Sequence, residues 1–296
     1  MLLSTFSIVG AIGLVLAPIA VSSASGIGPG SPDGSAFARW IALITVVATG
    51  VAAVYAPGLA RRIPILIGAI VGYVIYWIAA NAGYGPPIDF GKVAAASWVG
   101  LPNFAAPVFD PKAMVLIAPV AIVLVAENLG HIKAIGAMTG RSLDPYLGRA
   151  FLGDGIATMV SAFGGGTGVT TYAENMGVMA ITRIYSTALF VAAAIIAILL
   201  GFSPKFGALI QTIPGPVLGG LSIVVFGLIA ATAGRIWVEN GVDFSKARNL
   251  ITVAVALVLG AGNFKLTVAG FTLDGIGTAT FGCIILYHLL RGTEEE

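Results

Sequence analysis

Eight long stretches of almost uninterrupted apolar residues divide this chain of 296 residues. A helix needs roughly 20 apolar residues to cross the hydrocarbon core of a bilayer, and each stretch approaches that length. Only 9% of the residues are charged, against roughly 25% in a soluble domain. The sequence therefore predicts an all-α polytopic membrane protein. Its predicted segments are about 3–21, 40–57, 64–81, 113–131, 184–202, 215–233, 249–262 and 273–290.

Two weaker stretches, 146–163 and 169–181, raise the expected number of membrane segments to ten. Ten crossings place both termini on the same side of the membrane. With that count, ten of the fifteen lysine and arginine residues fall on one side and five on the other. Because Lys and Arg are enriched in cytoplasmic loops, we expect both termini to be cytoplasmic. Without the crossing at 169–181 this asymmetry would be lost.

Several other kinds of protein are excluded by residue types that the chain lacks. Cys283 is the single cysteine, which excludes a disulfide framework and a cysteine-ligated zinc cluster. The net charge is only +2 and no basic run alternates with aromatic residues, so no nucleic-acid interface is predicted. The first twenty residues are apolar but have no basic region before them, which favours a membrane segment over a cleaved signal. No metal or cofactor site is expected.

Glu127 lies inside the apolar stretch 113–131, four residues before His131. A carboxylate at bilayer depth costs about 2.5 to 3.5 kcal/mol on insertion scales, so such a residue usually faces a cavity and has a function. The i, i+4 spacing puts both side chains on one helix face, and a carboxylate beside a histidine is a suitable proton-binding pair. The structural alternative places Glu127 at a helix end in the headgroup region and bonds His131 to its own turn.

The glycine-rich run Gly164–Gly168 precedes a second candidate site. It cannot hold a regular helix, since glycine costs roughly 1 kcal/mol per helical residue. Residues 169–172 then predict a short extended segment, and 173–180 predict a half-helix with Glu174 at its start. Irregular backbone at membrane depth lines a cavity or is buried in protein, and a half-helix start favours a carboxylate. The alternatives are a simple tight loop and a glutamate that only caps the helix.

Three further polar residues are expected to be structural. Asp154 lies about one turn after Arg149, and we expect a salt bridge between the two at a cytoplasmic helix end rather than a functional site. His288 and Cys283 lie in the last apolar stretch and are expected to be packing residues. Glu127 and Glu174 therefore remain the acidic residues for which a function is predicted.

Two motifs around these glutamates resemble the nucleobase–ascorbate transporter family, also called the nucleobase:cation symporter-2 family. The first motif is Ala126-Glu-Asn-Leu-Gly-His131. In the second, the family signature is an acidic or amide residue, Asn, any residue, Gly, four residues, Thr and Arg. It is matched by Glu174-Asn175, Gly177 and Thr182-Arg183. The resemblance extends over essentially the whole chain and is closest to the pyrimidine and uracil permeases of the family.

The resemblance implies a fold of fourteen segments in two inverted repeats of seven, divided into a core and a gate domain. This chain is similar to segments 5 to 14, so an N-terminally truncated form that does not transport by itself is expected. Residues 1–112 would form the first part of the gate (segments 5–7) and a periplasmic loop. Residues 113–205 would form half of the core (segments 8–11) with the substrate site. Residues 206–296 would complete the gate (segments 12–14) and end in a cytoplasmic tail.

The resemblance also implies proton-coupled uptake of a pyrimidine nucleobase, uracil or thymine, across the bacterial inner membrane. The substrate-binding residues would be Glu127, Glu174, Tyr172, Ala173 and Asn175. His131 would link protonation of Glu127 to the transport cycle. Purine-transporting relatives usually carry glutamine at the position of Glu174, so the acidic residue favours a pyrimidine. A homodimer through the gate is implied by the resemblance alone.

Four other functions compete with pyrimidine transport. A xanthine- or urate-type purine permease would have the same architecture. An anion transporter of the sulfate-transporter type would need positive charge or bare helix termini in its pocket, which two carboxylates do not supply. A membrane enzyme is not supported by any zinc-protease or serine-hydrolase motif. A non-transporting accessory membrane protein is a further alternative, because the resemblance implies that half of the core is missing.

Overall fold

The computed structural model describes residues 2–27, 33–58, 60–102, 104–111, 114, 120–239, 241–268, 271–273 and 275–290. Apolar helices form most of this part of the chain. The helices are α1 (Leu2–Ser25), α2 (Ala36–Tyr55), α3 (Pro64–Asn81), α4 (Gly91–Ala95), α5 (Val120–Thr139), α6 (Leu147–Phe163), α7 (Ala173–Thr182), α8 (Thr187–Gly201), α9 (Pro204–Ile210), α10 (Gly215–Glu239), α11 (Ala247–Ala261) and α12 (Gly275–Leu289). Single 3-10 turns lie at Ala60–Arg62 and Asp144–Tyr146, and two short strands are β1 (Leu266–Val268) and β2 (Phe271–Leu273).

Three described helices are long and apolar enough to cross a membrane, namely α2, α3 and the part Gly215–Arg235 of α10. Helices α8 and α9 meet at a bend of 100° and would together count as a fourth. Shorter apolar helices are Gly13–Ser25, α11 and α12. A mostly helical chain is therefore confirmed, and its apolar helices are consistent with a polytopic membrane protein, while ten crossings and an inverted repeat remain predictions.

The bend after α8 lies just beyond the predicted segment 184–202. Helix α8 ends at Gly201, and a proline at the first position of α9 starts the next helix in a new direction. The Ser203 hydroxyl accepts a hydrogen bond from the Phe206 N–H at 3.3 Å, which caps that helix start. The Ser-Pro pair is thus the local cause of the break.

The antiparallel hairpin of β1 and β2 is a feature that the hydropathy analysis missed. Leu266 pairs with Leu273 and Val268 with Phe271, and the hydroxyls of Thr267 and Thr272 lie 2.9 Å apart. The predicted segment 273–290 consequently begins in a strand, and its helix starts only at Gly275. Alternation of apolar residues with threonine in both strands is the signal that indicates this hairpin.

The chain folds as two compact units. The first comprises Met1–Pro18, Phe104–Val178 and Phe226–Glu296, and it contains the whole of α5, α6, α11 and α12. The second comprises Ile19–Asn103 and Met179–Val225, with α2, α3, α4, α8 and α9. The division into core and gate at 113 and 206 remains a prediction from the family resemblance.

Helices α2 and α3 of the second unit pack closely through small residues. Gly68 and Gly72 are four residues apart on α3 and face Thr49 and Thr45 of α2. Small residues at this spacing let helix backbones approach closely inside a membrane. Both threonine side chains are buried and donate to the carbonyl four residues earlier at 2.8 Å. A Cβ atom at either glycine would overlap the facing threonine hydroxyl, so the contact requires glycine.

This contact predicts a difference between two Gly→Ala variants. Gly68→Ala is expected to lower the free energy of unfolding by about 1–3 kcal/mol because it overpacks the contact. Gly50→Ala on α2 is the matched control, since its Cβ would meet no atom within 4 Å. That change should be neutral or stabilise by up to about 1 kcal/mol. Thermal unfolding of both purified variants in one detergent is the measurement. A Gly68→Ala protein at least as stable as Gly50→Ala would contradict the close packing.

The first unit packs its helices through small side chains as well. Ala256, Ala279 and Cys283 are fully buried, which confirms the predicted packing role of the cysteine. A Cβ atom at Gly260 would lie 2.8 Å from the Cβ atom of Ala11, so α1 and α11 also approach closely. Helix α5 contacts both α6 and α12 in this unit. Helix α5 therefore lies against α6, whose Asp154 accepts a hydrogen bond from Asn128 of α5.

Candidate functional site

The glycine-rich run ends α6 and begins an irregular segment that leads to α7. The N–H groups of Gly164, Gly165 and Gly166 donate to the last carbonyls of α6, including a 2.8 Å bond from Gly166 to Ser161. Gly165 has φ +79°, a left-handed conformation that favours glycine at a helix end. Residues 166–172 have no regular secondary structure, and α7 then starts at Ala173. The predicted break and half-helix are confirmed, and the segment between them has no regular secondary structure.

One threonine holds this irregular segment against α6. The Thr158 hydroxyl donates to the Val169 carbonyl at 2.7 Å and accepts from the Val169 N–H at 3.3 Å. The hydroxyl therefore satisfies both backbone groups of a residue that has no strand or helix partner. The next two residues, Thr170 and Thr171, are directed to α5 by the hydrogen bonds that they form there.

Asn128 of α5 is 3% exposed and forms the centre of a polar network. Its Nδ2 donates to Asp154 Oδ2 at 2.8 Å and lies 3.3 Å from the Thr170 hydroxyl. Its Oδ1 accepts a short hydrogen bond from the Thr171 hydroxyl. The network thus connects α5, α6 and the irregular segment. Because buried polar groups are costly without partners, these bonds hold the three parts together.

His131 belongs to the same network and is 1% exposed. Its Nδ1 lies 2.7 Å from the Thr171 hydroxyl oxygen. The alternative in which His131 bonds to its own helical turn is therefore wrong for this nitrogen. Its Nε2 is buried and has no hydrogen-bond partner among the described residues. An unpartnered polar atom of this kind is unfavourable in a protein interior, so Nε2 is a candidate contact for a proton or a hydrogen-bond donor.

Glu127 is half-buried and lies one turn before His131 on α5. The helix continues to Thr139, eight residues beyond the histidine. The alternative that puts Glu127 at a helix end is therefore wrong. Glu127 and His131 therefore lie in the body of the helix, which is compatible with the predicted proton-binding role.

The remaining predicted substrate residues lie at the start of α7. The side chains of Ala173 and Glu174 lie outside the part of the chain that the structure describes. Tyr172 is 58% exposed and Asn175 is also exposed in the single chain. The Asn175 N–H donates to the Tyr172 carbonyl at 3.2 Å, which closes the first turn of the helix. That N–H is therefore occupied, and a ligand carbonyl would have to bind to N–H groups earlier in the turn.

The predicted salt bridge between Asp154 and Arg149 is wrong. Its carboxylate accepts from Asn128, and the Arg149 guanidinium instead lies 5.9 Å above the Tyr146 ring. The missed signal is that Asp154 is an ionisable residue inside an apolar helix, which is by default a functional candidate. Asn128 was also missed, although it stands in the motif that contains Glu127 and His131. Among the described residues, no group of three or more His, Cys, Asp or Glu side chains could hold a metal ion.

A comparison with protein families identifies the class of this chain. The sequence model described as "Permease family" matches residues 3–269, which is most of the chain. The chain belongs to this permease family. The resemblance to the nucleobase:cation symporter-2 family is thereby confirmed. As a member of a permease family the chain is an integral membrane protein and not an enzyme, and the sulfate-transporter alternative is set aside.

Similar proteins in the family have names that specify pyrimidines. RutG of Escherichia coli (strain K12), named as a pyrimidine permease, is 60% identical over 97% of this chain and 63% of its own length. The uracil permease of Bacillus caldolyticus is 41% identical over 96% of this chain and 66% of its own. The uracil permease of Escherichia coli (strain K12) is 38% identical over 98% and 67%. The chain therefore spans about two thirds of the length of these relatives.

Proposed function

We propose that this permease-family protein transports a pyrimidine nucleobase, uracil or thymine, together with protons. The observation that carries the proposal is the 60% identity to RutG over nearly the whole chain, followed by uracil permeases at 41% and 42%. These relatives share one class of substrate in their names. The xanthine- or urate-type alternative has no comparable support among them, and Glu174 also favours a pyrimidine.

The chemistry of the predicted site suits a pyrimidine. Uracil presents two ring N–H donors and two carbonyl acceptors around one flat ring. In our proposal the carboxylates of Glu127 and Glu174 accept from the ring N–H groups, and backbone N–H groups at the start of α7 donate to a carbonyl. A hydrogen bond with one ionised partner is roughly twice as strong as a neutral one. The irregular backbone before α7 supports this proposal, because it allows a half-helix to begin at the site.

The proposed proton site consists of Glu127 and His131 on α5. The buried histidine supports this proposal, because its Nε2 is without a partner among the described residues and one of its nitrogens must be unprotonated when the ring is neutral. Binding of a proton would neutralise Glu127 or add a positive charge to His131, in either case next to the proposed substrate. Proton binding and substrate binding would thereby be coupled. We further propose a bacterial inner-membrane location, a core at 113–205 and a gate that forms a homodimer, all from the family resemblance. Cytoplasmic termini are proposed from the uneven distribution of lysine and arginine.

Uptake of radiolabelled uracil tests the proposed function. The chain is expressed in cells without their own uracil permeases, both alone and preceded by the N-terminal segments of RutG that the resemblance assigns to segments 1–4. We expect uptake above the vector control in the longer form. Absence of uptake in both forms, with each protein shown to be in the membrane, would overturn the proposal.

Proton coupling has its own test in the form that is active. A protonophore should reduce accumulation of uracil to the level of equilibration, because the proton gradient drives symport. Replacing sodium by potassium in the medium should have no comparable effect. Accumulation that persists after collapse of the proton gradient would remove protons from the proposed mechanism while leaving pyrimidine transport intact.

A further inference from the structure

We infer that Asp154 is a positioning residue that decides which ring nitrogen of His131 carries the proton. It acts through two intervening side chains, Asn128 and Thr171. The chain of hydrogen bonds runs from Asp154 Oδ2 to Asn128 Nδ2, from Asn128 Oδ1 to the Thr171 hydroxyl, and from that oxygen to His131 Nδ1. The side chains of Asp154, Asn128 and His131 are fully or half buried, and Thr171 is exposed. Each successive pair of atoms in this chain is within hydrogen-bond distance.

The carboxylate determines the orientation of the amide. An ionised aspartate only accepts hydrogen bonds, so the group of Asn128 that faces Asp154 must be the donor Nδ2. The amide oxygen then faces the other way, toward Thr171. The second donor position of Nδ2 lies near the Thr170 hydroxyl, which is an acceptor for it. Both ends of the amide are thus bonded in one orientation.

The amide orientation in turn determines the direction of the last two bonds. Asn128 Oδ1 is an acceptor, so the Thr171 hydroxyl must donate its one proton there. The hydroxyl oxygen can then only accept from His131. His131 Nδ1 is therefore the protonated nitrogen, at 2.7 Å from that oxygen. In the neutral ring Nε2 is consequently a bare acceptor, and it is the nitrogen without a partner in the described part of the protein.

The other charged groups near α5 have different partners. Lys133 on the same helix forms an ion pair with Asp144 at 2.5 Å. Arg149 of α6 lies over Tyr146, and Tyr287 of α12 lies under Arg248, whose guanidinium carbon is 3.8 Å from the ring centre. His288 of α12 lies 2.8 Å from a carbonyl of its own turn. Glu127 shares α5 with His131, and Asp154 is the acid at the end of this chain of bonds.

This polarity leaves the Nε2 lone pair as the ring position that an added proton can occupy. A proton added to the Nε2 lone pair forms an imidazolium and leaves every bond from Nδ1 to Asp154 unchanged. The negative charge of Asp154 partly offsets the new positive charge. The assignment of the tautomer stands independently of transport. Only its meaning for coupling rests on the proposed function.

Nitrogen NMR of the full chain in lipid nanodiscs tests the inference. The sequence has two histidines, so His288→Gln leaves His131 as the single labelled residue. In this background we expect Nδ1 protonated and Nε2 unprotonated at neutral pH, with an excess of at least about tenfold over the other tautomer because a charge-assisted bond anchors the chain. Asp154→Asn should bring the Nε2–H form to a comparable population, since an amide at 154 can either donate or accept.

Asp144→Asn is the matched control, because it removes an acid near α5 that is outside the chain of bonds. It should leave the tautomer unchanged. A second pair covers the case in which Asp154→Asn does not fold: Thr171→Val should remove the preference and Thr171→Ser should retain it. An Nε2–H or doubly protonated His131 in the His288→Gln protein overturns the inference, and so does an unchanged tautomer in Asp154→Asn or Thr171→Val. A protein that shows the expected tautomer but takes up no uracil in either the short or the longer form would instead count against the proposed function alone.

Discussion

The Glu174→Gln substitution is expected to weaken uracil binding by about 10- to 100-fold in the transport-competent form of this protein. The proposed role of Glu174 is to accept an N–H of the pyrimidine ring, and a hydrogen bond to a charged group is worth about 1.5–3 kcal/mol. Glutamine has nearly the same shape, but it is neutral and also presents an NH₂ group. That group would face a ring N–H if the amide were turned the wrong way.

Competition of unlabelled uracil against labelled uracil, in membranes that contain each variant, gives the affinity. Asp89→Asn is the matched control, because it makes the same carboxylate-to-amide change in an exposed loop of the second unit, where Asp89 accepts from the Gly91 N–H. Its affinity should equal that of the wild type. A Glu174→Gln protein that binds uracil as tightly as Asp89→Asn would remove Glu174 from the site.

The Asn128→Ala substitution is expected to lower the free energy of unfolding by about 3 kcal/mol. It removes the hydrogen bonds to Asp154, Thr170 and Thr171 together. Each hydrogen bond contributes about 1 kcal/mol, and a buried partner left without one costs about 1–3 kcal/mol. Since the three partners belong to one network, the loss is expected to exceed that for an isolated surface asparagine.

Asn249→Ala supplies the comparison for that experiment. Asn249 is half-buried and its Nδ2 donates once, to the Asp243 carbonyl at 2.8 Å, in a loop-to-helix contact. Its loss should cost about 1 kcal/mol or less. Thermal unfolding in one detergent, with the wild type measured beside both variants, gives the two differences. Equal losses would show that the polar network around Asn128 contributes nothing beyond a single hydrogen bond.

Much of the site could be predicted from local sequence because its signals are local. The glycine run at 164–168 cannot continue a helix, and the half-helix that follows is found where 173–180 predicted it. Glu127 and His131 stand out in the sequence because ionisable residues are rare in apolar helices. Asp154 satisfies the same criterion, but its nearness to Arg149 in sequence favoured a salt bridge that the fold does not form. Sequence distance was misleading there because the carboxylate faces another helix.

Membrane class, the presence of most helices and the break before α7 were determined by the sequence itself, since they depend on apolar length and on the backbone preferences of a few residues. The partner of His131 was decided only by the tertiary structure. Thr171 lies 40 positions along the chain, and the fold brings it to 2.7 Å from the ring. Hydrogen bonds are directional and short, so their partners depend on how α6 and the irregular segment pack against α5. No local pattern contains that packing.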